Sequence, residues 1–164
     1  MGNGYYYNLS QYRMALDEYG RIVENFLNTK WGLEALYATG LCKSRLGLSD
    51  GALETFERFL RDRPDEPLAP EVAREAARIY VSRGDLDRAE KKLDFLAKRN
   101  VGGLAREEMQ RLRIRIWQKR GDVEKVMELA RAYQTEHGLN AEVALSAAEA
   151  AIRLTLSATA TTAT

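Results

Sequence analysis

Few residues in this sequence could carry out catalysis. The 164-residue chain contains one cysteine, Cys42, and one histidine, His137. A Ser-His-Asp or Cys-His site would have to use His137, and no residue near it in sequence supports such a site. One Cys and one His are too few for a zinc site, and one Cys cannot form a disulfide within the chain. The sequence therefore predicts no enzyme, no metal and no cofactor.

The composition disfavours two further classes of function. There are 25 basic and 24 acidic side chains, a formal net charge of +1, whereas nucleic-acid binders usually carry a clear basic excess. No run of 18 apolar residues occurs, so no membrane insertion is expected, and no leader pattern opens the sequence. With 45% hydrophobic and 30% charged residues, we expect one folded domain with a core.

A glycine recurs at an interval of 37 residues, at Gly47, Gly84 and Gly121. Each follows a helical stretch and precedes another. One more step back reaches Ser10, in the turn-like segment 8–11. Small and apolar residues keep the same register after each turn, for example Ala15, Ala52, Ala89 and Val126. This periodicity indicates an internal repeat.

Each repeat is predicted to be a pair of antiparallel helices. In the second unit the first helix runs from about Trp31 to Leu46, and Gly47 supplies the positive φ that ends it. Ser49 and Asp50 are expected to cap the second helix. Asp residues also follow the other two turn glycines. The composition favours helix throughout and no strand is predicted, while Pro64, Pro67 and Pro70 mark a loop.

The residues at the packing positions resemble those of the tetratricopeptide repeat (TPR) family. The family wants small residues at two helix positions, a glycine-type turn, a large residue and a late proline. The second unit meets these with Gly40, Gly47, Ala52, Phe56 and Pro64. The third unit meets most of them with Ala77, Tyr80, Gly84, Ala89 and Leu93. The resemblance implies an all-α solenoid, a right-handed superhelix of helix pairs with a concave groove.

The repeat length departs from the usual TPR value, with 37 residues instead of about 34. Loops of this length are similar to those of bacterial cell-envelope members, the outer-membrane assembly lipoproteins and the Tol-Pal-associated periplasmic protein. That resemblance implies a periplasmic or envelope location. The single cysteine is equally compatible with the cytoplasm, and the compartment stays open.

The register divides the chain into about four units and a final helix. Asn140 is expected to cap this helix, which closes the end of the solenoid. In the first unit the register leaves only about two turns for the first helix, which contains Tyr5, Tyr6 and Tyr7. The predicted domain covers 1–157, with units at 1–28, 29–65, 66–102 and 103–139, a capping helix at 140–157 and a frayed tail at 158–164.

In the TPR family the first helix of each unit lines the groove. The matching positions carry six bases and three acids. The candidate partner-binding residues are Tyr37, Arg45, Arg74, Arg78, Arg111, Arg115 and Lys119, and the acids are Glu34, Glu71 and Glu108. Since arginine presents a planar fork to carboxylates, the four middle arginines are predicted to bind an acidic segment of a partner. The alternative is a solvated helix face with internal pairs such as Glu75 with Arg78.

The sequence therefore predicts a non-catalytic scaffold for protein–protein interaction that binds a protein or peptide partner. Self-assembly through the tyrosine-rich front or the alanine-rich last helix is the alternative. RNA binding by a related helical repeat is disfavoured by the period and the low net charge. Cys42, Trp31 and Trp117 are expected to pack in the core, and His137 to lie at a helix end.

Overall fold

The computed structural model describes the backbone of residues 2–99 and 102–161, and side chains from 9 to 99 and from 102 to 156. Within these residues the chain forms eight α-helices and, as predicted, no strand. The helices are α1 (Gly2–Phe26), α2 (Lys30–Arg45), α3 (Ser49–Asp62), α4 (Ala69–Arg83), α5 (Leu86–Ala97), α6 (Gly103–Arg120), α7 (Val123–His137) and α8 (Ala141–Thr161). None of these helices is long and apolar enough to span a membrane.

The chain divides into two compact units, Met1–Ile79 and Tyr80–Thr164. In the first unit, α2 packs against both α1 and α3. In the second unit, α6 packs against α5, α7 and α8, and α7 also packs against α8. Short connections between neighbouring helices give the helix pairs that the repeat predicts.

The three periodic glycines end helices, as the sequence predicts. Gly47, Gly84 and Gly121 have φ of 77°, 79° and 78°. This left-handed region is costly for residues with a Cβ, so glycine is the residue that reverses the chain there at least cost.

Helix capping follows the prediction in the later units but not in the second. Asp85 and Asp122 accept hydrogen bonds from the amides three residues on, and Asn140 caps α8 in the same way. The expected Ser49–Asp50 cap is wrong, because Leu48 occupies the N-cap position of α3 and makes no side-chain hydrogen bond. Ser49 is already the first residue of that helix.

The predicted turn near Ser10 is wrong, because α1 continues without a break from Gly2 to Phe26. The segment 8–11 has polar residues but neither glycine nor proline. Without a residue that favours positive φ or removes an amide, helix propagation continues through such a segment. The side chains of Tyr5, Tyr6 and Tyr7 lie outside the described residues, and so do residues 162–164 of the predicted tail.

The proline-rich segment forms the predicted loop only in part. Pro64 and Pro67 lie between α3 and α4, whereas Pro70 is the second residue of α4. Proline is tolerated in the first turn of a helix because the amide that it lacks would have no intrahelical partner there.

The cores contain most of the predicted packing residues. Phe56 is fully buried in the first unit, and Ile114, Val126 and Ala130 share one buried cluster in the second. Cys42 is buried, as predicted, and burial raises the pKa of its thiol. Trp117 packs against the second core.

Trp31 does not pack in the core, contrary to the prediction. It lies in the first turn of α2 and is 72% exposed. The indole projects from that turn on the side away from the packed face, on which Leu33 and Leu36 are buried.

The small residue that the TPR pattern wants at Gly40 lies where α2 and α3 approach each other closely. A Cβ built at this position would lie 2.2 Å from the Cε1 atom of Phe56, whose ring is fully buried. Gly40→Ala is expected to lower the free energy of unfolding by about 1–3 kcal/mol, because the ring must move within a packed core. Urea denaturation monitored by circular dichroism measures the change.

The matched control is Gly20→Ala on α1, where a Cβ would meet no atom within 4 Å. Alanine has the higher helix propensity, so this variant should gain up to about 1 kcal/mol. Equal effects of the two substitutions would contradict the close approach at Gly40.

Candidate partner-binding surface

The seven candidate residues lie on three helices. Tyr37 and Arg45 belong to α2, Arg74 and Arg78 to α4, and Arg111, Arg115 and Lys119 to α6. The first four are in the first compact unit and the last three in the second. The structure brings Tyr37, Arg74 and Arg78 together in the first unit. It aligns Arg111, Arg115 and Lys119 on α6 in the second.

In the first unit, Tyr37 lies beside the start of α4. Its ring is half-buried, with its centroid 6.1 Å from that of Phe56. Burial is the main reason that the pKa of Tyr37 is raised; Glu75 adds to the effect, while Arg74, through its charge and a hydrogen bond, opposes it. The phenol is therefore a neutral hydrogen-bonding group at physiological pH.

The carboxylate of Glu75 lies within ion-pair distance of both candidate arginines of α4. Its Oε1 atom lies 3.7 Å from an Nη atom of Arg74 and 3.4 Å from one of Arg78. The Glu75–Arg78 pair is the internal pairing that the alternative interpretation of the sequence predicts. Arg45 lies eight residues after Tyr37 on α2, about 12 Å along the helix axis, and so is not part of this cluster.

In the second unit, Arg111 and Arg115 lie one turn apart on α6, and both reach Glu142 in the first turn of α8. Arg111 Nη1 is 3.8 Å from Glu142 Oε2, and Arg115 forms an ion pair with Oε1. Lys119 continues the row one turn later; it is exposed and forms no ion pair within the described residues. We call Arg111, Arg115 and Lys119 the α6 basic row.

Sequence reasoning missed the buried contact behind this row. The Tyr133 hydroxyl of α7 donates a hydrogen bond of 2.7 Å to Glu107 Oε1, and Tyr133 is only 2% exposed. Burial and the neighbouring Glu107 carboxylate raise the pKa of Tyr133. Glu107 is the fifth residue of α6, which begins at Gly103. The repeat register could have indicated that Tyr133 is buried, because Tyr133 lies 37 and 74 residues after Leu96 and Phe59, which are also buried.

His137 is the last residue of α7, as predicted, and Gly138 follows with φ of 80°. Its Nε2 atom lies 2.6 Å from Gln110 Oε1, and its ring centroid is 4.9 Å from that of Tyr133. The contact with Gln110 attaches the end of α7 to α6, whereas Tyr133 lies one turn earlier on α7 itself. The described residues include no group of three or more His, Cys, Asp or Glu side chains arranged to hold a metal ion.

Comparisons with known proteins agree with this helix arrangement. The tetratricopeptide repeat family model TPR_16 matches residues 43–94. Two crystal structures of a Podosopora anserina protein, described as a kinesin light chain with nearly identical TPR-like repeats, match across most of this chain. The fold is a TPR-like helical repeat.

The likeness to those TPR-like structures is one of fold. One is 17% identical with a TM-score of 0.69, and the alignment covers 86% of this chain and 77% of that chain. The other is 19% identical with a TM-score of 0.65, covering 86% of this chain and 78% of that chain. No curated protein matches the sequence. The repeat interpretation of the 37-residue glycine spacing is thus confirmed at the level of fold.

The Tyr133–Glu107 hydrogen bond gives a prediction for the second unit. Tyr133→Phe should lower the free energy of unfolding by about 1–2 kcal/mol at neutral pH, because Glu107 loses a buried donor. Chemical denaturation followed by circular dichroism measures this loss. The control is Tyr19→Phe on α1, because the Tyr19 hydroxyl makes no hydrogen bond within the described residues.

The same variant has a pH signature. The folded-state pKa of Tyr133 is raised above its unfolded value, so its contribution to stability is full below about pH 10 and declines as pH rises through the folded-state pKa. Tyr133→Phe should therefore lose less stability than the parent protein as the pH increases above about 10. Parallel pH profiles for the two proteins would contradict this assignment.

Proposed function

We propose that this protein is a non-catalytic scaffold that binds a protein or peptide partner through the first helices of its repeats, and that an acidic segment of the partner docks on the α6 basic row. The observation that carries the proposal is the charge balance of that row. Three cations follow one another at one-turn intervals, and Glu142 is the single carboxylate that pairs with them among the described residues.

The internal ion pairs do not prevent docking. The Arg115 side chain is 54% exposed and that of Glu142 is 39% exposed. Ion pairs at such exposure contribute only about 0–1 kcal/mol, so a carboxylate of a partner can replace Glu142 at small cost. An arginine then offers two parallel N–H donors to that carboxylate.

Charge reversal tests the proposed acidic partner. Arg111→Glu combined with Arg115→Glu should weaken binding of a labelled poly-glutamate peptide at least tenfold, about 1.4 kcal/mol, as measured by fluorescence anisotropy. The parallel pair Arg74→Glu and Arg78→Glu tests whether the cluster on α4 contributes. Arg131→Glu is the matched control, because Arg131 is exposed on α7 and outside both clusters. Unchanged affinity in both double variants would exclude an arginine-based site.

A substitution in the opposite direction makes the test sharper. Glu142→Gln keeps the size of the side chain but removes the carboxylate that competes for Arg111 and Arg115. Peptide affinity should rise about threefold to tenfold, in line with the loss of a competing exposed pair. If the row is only a solvated helix face, neither this variant nor charge reversal will change the affinity.

Self-assembly is the second candidate, and one observation favours it. On α8 the apolar residues Leu145, Ile152 and Leu156 are 62%, 59% and 64% exposed. Their spacing of seven and four residues puts them on one face of the helix. Light scattering over a range of protein concentration tests this candidate. An increase in mass with concentration that is removed by Leu145→Glu and Ile152→Glu would support it.

The proposal also includes a location, the periplasm or cell envelope. The 37-residue spacing supports a protein of the bacterial cell-envelope type. Fractionation of the native source into periplasm and cytoplasm, followed by immunodetection of the chain, tests that assignment.

A further inference from the structure

The first compact unit contains an apolar cleft that the sequence did not predict. Its walls are formed by Leu33 of α2, Phe59 of α3, and Pro67 and Leu68 of the loop that precedes α4. Its volume is about 520 Å³, within the range of sites that bury a ligand or an anchoring side chain.

The rim of the cleft is acidic. Glu34, Glu66 and Glu71 line it together with one cation, Lys30. Lys30 Nζ lies 3.8 Å from Glu34 Oε1 and so is already balanced by that carboxylate. Within the part of the chain that the structure describes, Glu66 and Glu71 form no ion pair and their carboxylates accept no hydrogen bond. Two uncompensated negative charges therefore flank an apolar surface.

Helix stabilisation accounts for only part of this arrangement. Glu71 lies in the first turn of α4, where a carboxylate interacts favourably with the helix dipole. Glu66 lies in the loop before the helix, and only its backbone takes part in the local hydrogen bonds to Arg63 and Ala69. Among the residues that the structure describes, its carboxylate has no partner that would explain its place at the rim.

We infer that this cleft binds a partner segment in which a large apolar side chain is flanked by lysine or arginine. The apolar side chain would fill the cleft, and the flanking cations would pair with Glu66 and Glu71. The inference rests on the proposed scaffold function, but it uses residues and a sign of charge that differ from those of the α6 basic row. Complementary charge around an apolar anchor is the usual basis of orientation and specificity at such a site.

A second copy of this chain is a poorer match for the cleft. The exposed apolar stripe of α8 is accompanied by Glu142, Glu149 and Arg153 within its described side chains. Because Glu142 is already paired with Arg111 and Arg115, Glu149 and Arg153 leave that helix face with balanced charge and no excess cation to pair with Glu66 and Glu71.

The probe for the test is a fluorescein-labelled peptide of two lysines, one phenylalanine and two lysines, measured by fluorescence anisotropy with the full chain. Two control peptides replace the phenylalanine by serine or the lysines by glutamate. Both replacements should weaken binding more than tenfold. Increased salt should weaken binding of the parent peptide without abolishing it, because the apolar contact is not screened. Equal binding of the phenylalanine and serine peptides would overturn the inference.

The protein variant that tests the rim is Glu66→Lys combined with Glu71→Gln, and it should weaken binding of the lysine–phenylalanine peptide at least tenfold. Glu54→Lys is the matched control, because Glu54 is exposed on α3 and does not line the cleft. Thermal melts by circular dichroism confirm that the variants are folded. Unchanged affinity in the folded double variant would overturn the inference.

Two further measurements on these proteins separate the inference from the proposed function. The poly-glutamate peptide should bind the rim variant at least as well as the parent protein, because its site is the α6 basic row. If poly-glutamate fails to bind while the lysine–phenylalanine peptide still binds the parent protein, the proposal for the α6 basic row is wrong and the inference about the cleft stands. If the rim substitutions instead dissociate a self-associated form in light scattering, the cleft is occupied by a second copy and the inference of a basic partner is wrong.

Discussion

The contact between Gly40 and Phe56 is the constraint on which the helix pair of the first unit depends. The fully buried ring of Phe56 occupies the space that a side chain at position 40 would need. Helices α2 and α3 can lie this close only because one of them has no Cβ at the contact. The approach buries Ala52 and Phe59 on the same face of α3, and it places Tyr37 against the Phe56 ring. The absence of a Cβ at Gly40 therefore fixes the position of the Phe56 ring, against which Tyr37 of the first candidate cluster packs.

In the second unit the corresponding helix pair is packed with side chains of different size. The position that corresponds to Gly40 carries Ile114, and the corresponding positions of the second helix carry Val126 and Ala130. The large residue has moved to the first helix and a small one, Ala130, faces it. All three are at most 2% exposed in one cluster. Cores tolerate such exchanges when the total volume is preserved, and this explains how a repeat persists while its side chains change.

The charged side chains of the arginine clusters and those of the cleft differ in whether an opposite charge lies beside them. In the arginine clusters, Glu75 and Glu142 lie within ion-pair distance of the cations and lower the net charge that a partner meets. At the cleft the one cation, Lys30, is paired with Glu34, and Glu66 and Glu71 form no ion pair among the described residues. The formal net charge of +1 for the whole chain conceals this local difference. Partner chemistry follows the local balance, because screening limits each charge to a range of about 10 Å.

The sequence by itself determined the helical repeat, its period and its turns. These follow from local chemistry: Gly47, Gly84 and Gly121 favour a positive φ, and Asp85 and Asp122 cap the helices that follow. The failure at Ser10 has the same origin, because a polar segment without glycine or proline does not stop a helix. Only the tertiary structure decided that Glu142 pairs with Arg111 and Arg115, that Trp31 is exposed, and that apolar and acidic residues from three helices and a loop form one cleft. Those features depend on distances between residues far apart in the chain, which local propensity and periodicity do not encode.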